Sequence, residues 1–196
     1  MQEIRKSVSN EKRSRETRAV LLSCARKLFV ERGYAETGTP EIVRVAGLTR
    51  GALYHHFKDK EDLFKALLEE EASAVAKKII QEAESSGSAM NNLLSGSDAY
   101  FRAMSVSGRA RLLLIEGPAV LGIEVMSKID EQTGKLELER GLAELTQLPL
   151  EGVELAALAT ILSAAFDRAA LAISIGESAL QYRTAIKCLL QGLVNR

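Results

Sequence analysis

The sequence has 196 residues, of which 46% are hydrophobic and 27% are charged, as in globular proteins rather than disordered chains. The formal net charge is zero, but residues 1–60 hold thirteen Lys or Arg and seven Asp or Glu, a net +6, so that residues 61–196 carry −6. A basic first third joined to an acidic remainder indicates that one end of the chain binds a polyanion.

Composition also excludes several classes of protein. The uncharged stretch from Leu155 to Phe166 has twelve residues, whereas a membrane span needs about 18 or more. The N-terminus lacks the apolar core of a secretory signal. Cys24 and Cys188 lie far apart in helix-like segments, without metal or redox spacing. We therefore expect a soluble, cytoplasmic protein with no membrane association and no cofactor.

The first two predicted elements are an arm and a helix. Residues 1–16 have no apolar period and carry five basic side chains, so we predict a flexible basic N-terminal arm. From Thr17 to Arg32, apolar residues recur at helical spacing. Gly33 then supplies the stop signal expected just past a helix.

Two short helices follow. The first, Pro40–Ala46, starts with a capping hydroxyl at Thr39 and a proline at the first helical position, where its missing N–H costs nothing. Gly47 interrupts it, and Thr49 caps the second helix, Arg50–Phe57. Two helices joined by about three residues with a glycine at the turn have the spacing of a helix-turn-helix.

The rest of the chain also has helical patterns. A long helix runs from Lys60 towards Glu84, and Ser85–Ser88 marks a loop. Further helical patterns cover about 89–106, 108–117, 122–147, 151–175 and 177–195, with breaks at Gly117-Pro118 and Leu148-Pro149. No strand pattern is present, so the sequence predicts an all-α fold of about nine helices. Residues 17–60 form a three-helix bundle with the helix-turn-helix, and residues 61–196 form a larger helical domain.

The second short helix has the residues of a DNA-reading helix. Leu53 and Phe57 are four positions apart and share the buried face, which leaves four outward positions: Arg50, Gly51, Tyr54 and His55. Arg50 can donate two hydrogen bonds to guanine, Tyr54 can contact phosphate or a thymine methyl group, and Gly51 allows close approach. Paired short helices also occur in proteins that never contact DNA, so the geometry alone leaves both interpretations open.

The stretch from Thr17 to Leu68 resembles the DNA-binding domain of the tetracycline-repressor (TetR/AcrR) family of bacterial regulators. The features that carry the resemblance are Ala25, Leu28-Phe29, Gly33-Tyr34, Ala46-Gly47, Leu53-Tyr54, Phe57, Lys60-Glu61 and Leu63. The resemblance implies phosphate and base contacts at Thr39, Thr49, Arg50, Gly51, Ala52, Tyr54, His55 and Lys60.

Three positions depart from the family pattern. Pro40 stands where some members carry a basic residue that reads bases, Gly38 where many have a hydroxyl residue, and Val43 where alanine is common. We therefore expect fewer base contacts from the first helix of the pair. Adjacent His55 and His56 diverge by about 100° on a helix, so they do not chelate one ion together, and we predict no metal site.

The resemblance also implies how the larger domain is used. Segments 151–175 and 177–195 are separated only by Gly176, so they are antiparallel neighbours. The first is apolar on most sides and must be buried on most sides. The family resemblance implies a homodimer through a four-helix bundle of these two helices, which holds two recognition helices roughly 34 Å apart on a palindrome.

An inducer pocket is implied by the same resemblance for the segment from Tyr100 to Met126. Its candidate lining residues are Tyr100, Phe101, Met104, Leu113, Leu114, Glu116, Pro118, Val120, Leu121, Met126, Phe166 and Asp167. An apolar cavity of this kind suits a lipophilic or weakly polar ligand. The same side chains suit an ordinary core, and Asp167 beside Arg168 suits a ligand anchor or an interface hydrogen bond.

The function expected from these observations is that of a ligand-responsive DNA-binding transcriptional regulator. The family majority makes it a repressor that binds a palindromic operator as a homodimer and is released by a small, mainly apolar effector. Two alternatives stay open. A helical enzyme lacks any visible catalytic motif, and the basic residues argue against a dimeric small-molecule carrier that does not bind DNA.

Overall fold

The computed structural model of the protein describes residues 2–83, 87–145 and 153–194. Within these ranges the chain is helical and has no strand, which confirms the predicted fold class. The chain divides into two compact units, Met1–Leu68 and Glu69–Arg196. The first unit reaches eight residues beyond the predicted boundary at residue 60, because Phe64 packs edge-on against Phe29 with ring centroids 5.1 Å apart.

Four helices build the first unit. They are α1 (Gln2–Glu36), α2 (Thr39–Ala46), α3 (Arg50–His56) and the first part of α4 (Lys60–Ala83). The helices α1, α2 and α3 pack against one another. Their shared core holds Leu21, Leu22, Ala25, Leu28, Phe29, Ile42, Val43, Leu53, Phe57, Leu63 and Phe64, all nearly inaccessible to solvent.

The N-terminal segment is helical, so the prediction of a flexible arm over residues 1–16 was wrong for the described residues from Gln2 onward. No glycine or proline occurs before Gly33, and Lys12 and Glu16 form a helical ion pair at 4.0 Å. The basic segment therefore continues α1. Gly33 takes φ 84° and ψ 166°, which interrupts the helical backbone at the predicted stop.

The turn between α2 and α3 follows the sequence prediction with one change. Gly38, not Thr39, is the residue that precedes α2, and Thr39 is its first helical residue. Gly47 ends α2 in the left-handed conformation, at φ 66° and ψ 28°. The Thr49 hydroxyl accepts a hydrogen bond from the Ala52 amide at 3.2 Å and caps α3, as predicted.

The second unit contains the rest of α4 and the remaining helices. These are α5 (Ala89–Met104), α6 (Arg109–Arg111), a π turn (Leu112–Glu116), α7 (Gly117–Leu121), α8 (Ile123–Glu131), α9 (Gly134–Ala143), α10 (Val153–Ser174) and α11 (Ala179–Gly192). If the run from α6 through the π turn to α7 counts as one helix, the described residues hold ten helices where about nine were expected.

Two predicted boundaries in this unit shift. The chain stays helical through Gly117-Pro118, where a break was predicted, because the wider π turn before Pro118 accommodates a residue that lacks an N–H. It breaks instead at Gly122, with φ 82°. The single helix predicted over 122–147 divides at Thr133 into α8 and α9. The predicted break at Leu148-Pro149 lies outside the described residues.

The helix α10 organises the second unit. Its buried side holds Ala159, Leu162, Phe166 and Ala169, which join side chains of α5, α9 and α11 in one core. Within the described residues, the stretch Glu154–Ser174 of α10 is long and apolar enough to cross a membrane by length and composition. Of this stretch, 33% is buried inside the structure.

Candidate functional site

The exposed side of α3 presents the predicted DNA-reading residues. Leu53 is fully buried and fixes the helix against the core of the first unit. Arg50, Gly51 and His55 are exposed, and Tyr54 keeps 53% of its surface accessible. A guanidinium, a phenol and an imidazole on one solvent-facing surface can donate hydrogen bonds to phosphate oxygens and base edges.

The two threonines of this surface already hold hydrogen bonds inside the unit. The Thr39 and Tyr54 hydroxyls lie 3.4 Å apart, which links the start of α2 to α3. The Thr49 hydroxyl accepts a hydrogen bond from the Ala52 amide, and Ala52 itself is half-buried. These contacts orient Tyr54 and the first turn of α3, and the exposed Thr49 hydroxyl keeps a donor for a phosphate.

Lys60 has a different position from the one expected of a phosphate ligand. Its ammonium group donates hydrogen bonds to the carbonyl oxygens of Tyr34, at 2.9 Å, and of Thr37, at 3.1 Å. The same nitrogen lies 3.9 Å from the centroid of the Tyr34 ring. Two of its three N–H donors therefore hold the segment between α1 and α2 in place.

Gly51 is not required by packing inside the protein. A Cβ atom built there would meet Thr49 Oγ1 at 3.8 Å, an ordinary van der Waals contact, and its φ is not positive. Glycine within a helix costs up to about 1 kcal/mol relative to alanine. Packing inside the protein therefore leaves room for a side chain at position 51.

The N-terminal part of α1 adjoins the exposed side of α3. A shallow depression is lined by Asn10, Glu11, Ser14 and Arg15 of α1 together with His55. The segment that was expected to be an arm thus borders the predicted DNA-reading surface as a helix. It places Glu11 and Arg15 next to His55 of α3.

The histidines of α3 are not arranged as metal ligands. The rings of His55 and His56 are 5.2 Å apart and nearly perpendicular. Burial, followed by the proximity of His55 and Arg18, lowers the pKa of His56. Among the described residues, no group of three or more His, Cys, Asp or Glu side chains could hold a metal ion.

The second unit contains two neighbouring cavities. The first is lined by Ala72, Val75, Tyr100, Met104, Leu113, Leu114, Pro118, Ile123, Met126, Ser127, Ile129, Asp130, Thr133, Gly134, Asp167 and Leu171. Seven of the predicted pocket residues are in this wall: Tyr100, Met104, Leu113, Leu114, Pro118, Met126 and Asp167. Phe166 lines the second cavity instead, together with residues of α4, α5 and α9.

Four predicted pocket residues line neither of these two cavities: Phe101, Glu116, Val120 and Leu121. Phe101 follows Tyr100 by one position, so its ring turns into the core and packs against Phe166 at a centroid distance of 5.5 Å. Glu116 forms an ion pair with Arg111, with Nε and Oε1 3.1 Å apart. Spacing along the sequence did not show these orientations.

Two carboxylates lie where the cavities meet. The Tyr100 hydroxyl donates to Asp167 Oδ1 at 2.7 Å, and the Ser163 hydroxyl donates to Asp130 Oδ2 at 3.1 Å. The Lys135 amide donates to Asp130 Oδ1 at 3.1 Å. Burial, and to a smaller extent the charge of Asp130, raise the pKa of Asp167 to about 6, against the hydrogen bond from Tyr100. Burial also raises the pKa of Asp130.

Sequence reasoning missed Asp130, Ser163 and Gly134 as cavity residues. Asp130 follows Met126 by four positions, so its place on the inward side of α8 could have been inferred from helical periodicity. Gly134 leaves room for the carboxylate, since a Cβ atom there would lie 3.1 Å from Asp130 Oδ1. Nothing local in the sequence indicates the pairing of Ser163 with Asp130, which are 33 residues apart.

Helices α10 and α11 each leave an apolar side exposed. On α10, Ile161 keeps 66% of its surface accessible, with Ala157 and Ala164 exposed on either side of it. On α11, Leu189 is 53% exposed and its neighbour Cys188 is also exposed. The two helices pack against each other. Small and aliphatic side chains on two adjacent helices form a surface suited to another protein surface.

The chain joins a helix-turn-helix unit to a helical unit with two cavities, and both units match known families. Residues 21–67 match the family described as bacterial regulatory proteins, tetR family, and residues 90–195 match the tetracyclin repressor-like C-terminal domain. The chain belongs to the tetR family of bacterial regulatory proteins. Its relatives are transcriptional regulators and not enzymes.

The curated relatives match over part of their length. The HTH-type transcriptional regulator AcrR of Shigella flexneri is 48% identical over 56 residues, which cover 29% of this chain and 26% of that protein. TtgR of Pseudomonas putida is 45% identical over 56 residues, or 27% of its length. The A-factor receptor protein of Streptomyces griseus is 32% identical over 140 residues, covering 68% of this chain and 49% of that protein. The matched part is thus a quarter to a half of these relatives.

Solved structures match over nearly the whole chain. A tetR-family transcriptional regulator from Pectobacterium atrosepticum has a TM-score of 0.74 and 29% identity, over 94% of this chain and 97% of that one. A tetR-family regulator from Streptomyces coelicolor has a TM-score of 0.75 at 21% identity, over 95% and 96% of the two chains. The latter likeness shows the shared fold.

Proposed function

We propose that the protein is a transcriptional repressor that binds a palindromic operator as a homodimer and is released by a small effector. The observation that carries the DNA-binding part is the exposed surface of Arg50, Tyr54 and His55 on a helix held by buried Leu53. It lies in the unit that also holds the excess of basic residues. The name of a relative from Brucella suis, HTH-type transcriptional repressor BepR, supports repression.

The exposed apolar sides of α10 and α11 support a homodimer. Ile161, Leu180 and Leu189 keep between 53% and 76% of their surfaces accessible. Two copies that pair these sides about a twofold axis would bury them in a four-helix bundle. The same twofold axis would relate two α3 helices, as reading of a palindrome requires. We also propose a cytoplasmic location, which binding to chromosomal DNA would require.

The effector part of the proposal rests on the two cavities of the second unit. In a two-state protein, an effector that binds the form with low DNA affinity shifts the population towards that form. The helix α4 is shared by both units, with Lys60 at its start and Ala72 and Val75 in the wall of the first cavity. We propose that it carries the change from the cavity to the helix-turn-helix.

Selection of binding sites from genomic duplex DNA tests the DNA-binding part. The expected result is an enriched palindrome whose affinity falls steeply between two salt concentrations. Arg50→Ala and Tyr54→Ala should each lower affinity for the selected site by about tenfold or more, because each removes a contact of about 1–3 kcal/mol. Lys27→Ala is the matched control, since it removes an exposed positive charge from α1 outside α3.

The outcomes separate the possibilities. Equal losses for Lys27→Ala and Arg50→Ala would mean that α3 is not the reading helix. Binding that is weak and blind to sequence would contradict the proposed function. The effector part is tested by reciprocity: a ligand that releases operator must itself bind more weakly to the protein–operator complex. Equal ligand affinity in both forms would contradict it.

A further inference from the structure

The two cavities of the second unit share a polar junction. Tyr100, Asp130 and Gly134 line both of them, and Asp167 lines the first. Away from this junction the wall of the first cavity is formed mainly by aliphatic side chains and methionines, together with Ser127 and Thr133. A molecule that extends from one cavity towards the other would therefore place its middle against two carboxylates and a phenol.

These carboxylates have no cationic side chain as a hydrogen-bond partner among the described residues. Asp167 accepts a hydrogen bond from the Tyr100 hydroxyl. Asp130 accepts hydrogen bonds from the Ser163 hydroxyl and from the peptide N–H of Lys135. The positive charge of Lys135 lowers the pKa of Asp130, and its ammonium nitrogen lies 3.8 Å from Glu131 Oε1. Lys135 offsets part of the charge of Asp130, whereas Asp167 interacts only with Tyr100 and Asp130 and so lies in a partly desolvated site without a counter-charge.

The cationic groups around the cavities do not supply that counter-charge. Of the described residues that line the two cavities, Arg140 is the basic one, and its Nη1 donates to Glu137 Oε1 at 2.8 Å. Glu137 and Glu144 add further negative charge to the second cavity. The lining as a whole is acidic, which repels an anionic ligand and attracts a cationic one.

We propose that the effector of this protein is an organic cation, a protonated or quaternary amine with apolar substituents, whose positive charge lies against Asp167 and Asp130. This inference deepens the proposed function and rests on it. The ammonium group would supply the missing counter-charge, while the apolar substituents fill the cavities on either side. The sequence alone predicted a mainly apolar effector and left Asp167 beside Arg168 as either a ligand anchor or an interface hydrogen bond.

Aromatic rings at the junction favour the same class of ligand. The Tyr100 ring lies 5.4 Å from Phe166, in an edge-to-face arrangement, and 5.5 Å from Phe101. An organic cation gains from an aromatic face as well as from a carboxylate. A metal cation fits less well, because among the described residues no group of three or more His, Cys, Asp or Glu side chains could hold one.

A series of three probes that share one apolar group tests the inference. The probes are 4-phenylbutyltrimethylammonium, 4-phenylbutanol and 4-phenylbutanoate, a cation, a neutral molecule and an anion. Their affinities for the full chain are measured by titration calorimetry at pH 7.5 without DNA. The expected order is cation, then alcohol, then anion, with the cation at least tenfold tighter than the alcohol.

Variants assign the preference to the junction. Asp167→Asn keeps an oxygen for the Tyr100 hydroxyl and removes the charge, so it should weaken the cation tenfold or more and leave the alcohol within twofold. Asp130→Asn should act in the same direction. The control is Asp98→Asn on α5, whose carboxylate is paired with Arg183 at 2.7 Å and lines neither cavity. It should leave all three affinities unchanged.

Four results would overturn the inference. The cation could fail to bind measurably, the three probes could bind equally, or the anion could bind best. The fourth is that Asp167→Asn weakens the binding of cation and alcohol alike. Retained alcohol binding and an unchanged circular dichroism spectrum show that the variant is folded. If Asp130→Asn loses its fold, Asp167→Asn decides alone.

A failure of the proposed function has a different signature. Charge-dependent binding of the cation, without release of the selected operator, would leave the cation site standing and contradict the effector role. Absence of sequence-specific DNA binding in the probe-free protein would contradict the regulator proposal whatever the calorimetry shows.

Discussion

Arg109 and Glu71 form a buried ion pair in the second unit. Arg109 Nε lies 2.8 Å from Glu71 Oε2, and the residues keep only 9% and 7% of their surfaces accessible. Arg109 also donates through Nη1 to the Ala103 carbonyl oxygen at 2.7 Å. The pair therefore ties α4 to the start of α6, next to the π turn whose Leu113 and Leu114 line the first cavity.

Removal of one partner of this pair should be strongly destabilising. Glu71→Gln leaves Arg109 buried without its counter-charge, so we expect the free energy of unfolding to fall by about 3 kcal/mol. The measurement is urea denaturation followed by circular dichroism. Glu31→Gln, which breaks the exposed pair with Lys27, should cost less than about 1 kcal/mol. A double variant with Arg109→Met should recover part of the loss; no recovery would show that the pair is not the cause.

Alanine substitutions at two glycines of the helix-turn-helix should have opposite effects on stability. Gly51→Ala fills open space at a helical φ, so we expect the first unit to gain up to about 1 kcal/mol while DNA affinity falls. Gly47→Ala forces a side chain to φ 66°, so it should lose about 1–2 kcal/mol although nothing lies within 4 Å. Unfolding and operator binding are measured on both. Unchanged operator affinity in Gly51→Ala would contradict close approach of DNA at that position.

Replacement of Lys60 should affect the fold more than the electrostatics of DNA binding. Lys60→Met removes the hydrogen bonds to the Tyr34 and Thr37 carbonyl oxygens, so we expect a loss of about 2 kcal/mol in unfolding free energy. The slope of log affinity against log salt should stay the same, because a phosphate ligand would change it by about one. A slope reduced by one in Lys60→Met would instead show that the Lys60 ammonium binds a DNA phosphate.

The pH dependence of stability should report Asp167. Its pKa is raised from 3.8 to about 6 in the folded protein, so its proton stabilises the fold at low pH and this stabilisation is lost as pH rises through about 6. The groups that face its carboxylate are Tyr100 and Asp130.

Asp167→Asn should accordingly stabilise the protein at pH 7.5, by up to about 3 kcal/mol, and have little effect at pH 4. Thermal unfolding at both values measures the difference. Asp98→Asn, at an ion-paired carboxylate outside the cavities, should give no such gain at pH 7.5. The variant's stability relative to the parent protein is compared at the two pH values. A lower relative stability at pH 7.5 than at pH 4 would contradict the assignment.

A charge on the exposed side of α11 should separate the subunits of the proposed dimer. Leu189 is 53% exposed, so Leu189→Glu costs a single chain little but places two carboxylates in the proposed interface. We expect sedimentation velocity to show a monomer and operator affinity to fall by at least tenfold. Val106→Glu, at a 42% exposed position after α5, is the control and should remain dimeric. A dimeric Leu189→Glu protein would place the interface elsewhere.

Local signals determined which features could be predicted from the sequence. The stop at Gly33, the left-handed turn at Gly47 and the cap at Thr49 each depend on the conformational preference of one residue and its nearest neighbours. The outward position of Arg50 and Tyr54 follows from the period of a single helix. These local features and the exposure of the two side chains were therefore predicted correctly, whereas their contact with DNA stays a prediction.

Features that depend on distant parts of the chain could not be predicted in this way. The ammonium of Lys60 is held by carbonyl oxygens 23 and 26 residues away. The carboxylate of Asp167 meets a hydroxyl 67 residues away. The helical form of the N-terminal segment was missed because an apolar period was required, although a charged helix without glycine or proline needs none. The features that the sequence did not predict are therefore contacts between distant residues and an exposed, charged helix.

The boundary between the two units lies inside a helix, between Leu68 and Glu69 of α4. A hybrid that joins the first unit of this protein to the second unit of a relative must therefore keep one helix in phase through the junction. One extra residue there would turn everything beyond it by about 100° and advance it by about 1.5 Å. Hybrids joined without insertion or deletion should regulate, whereas hybrids with a single inserted alanine should fold and fail to respond.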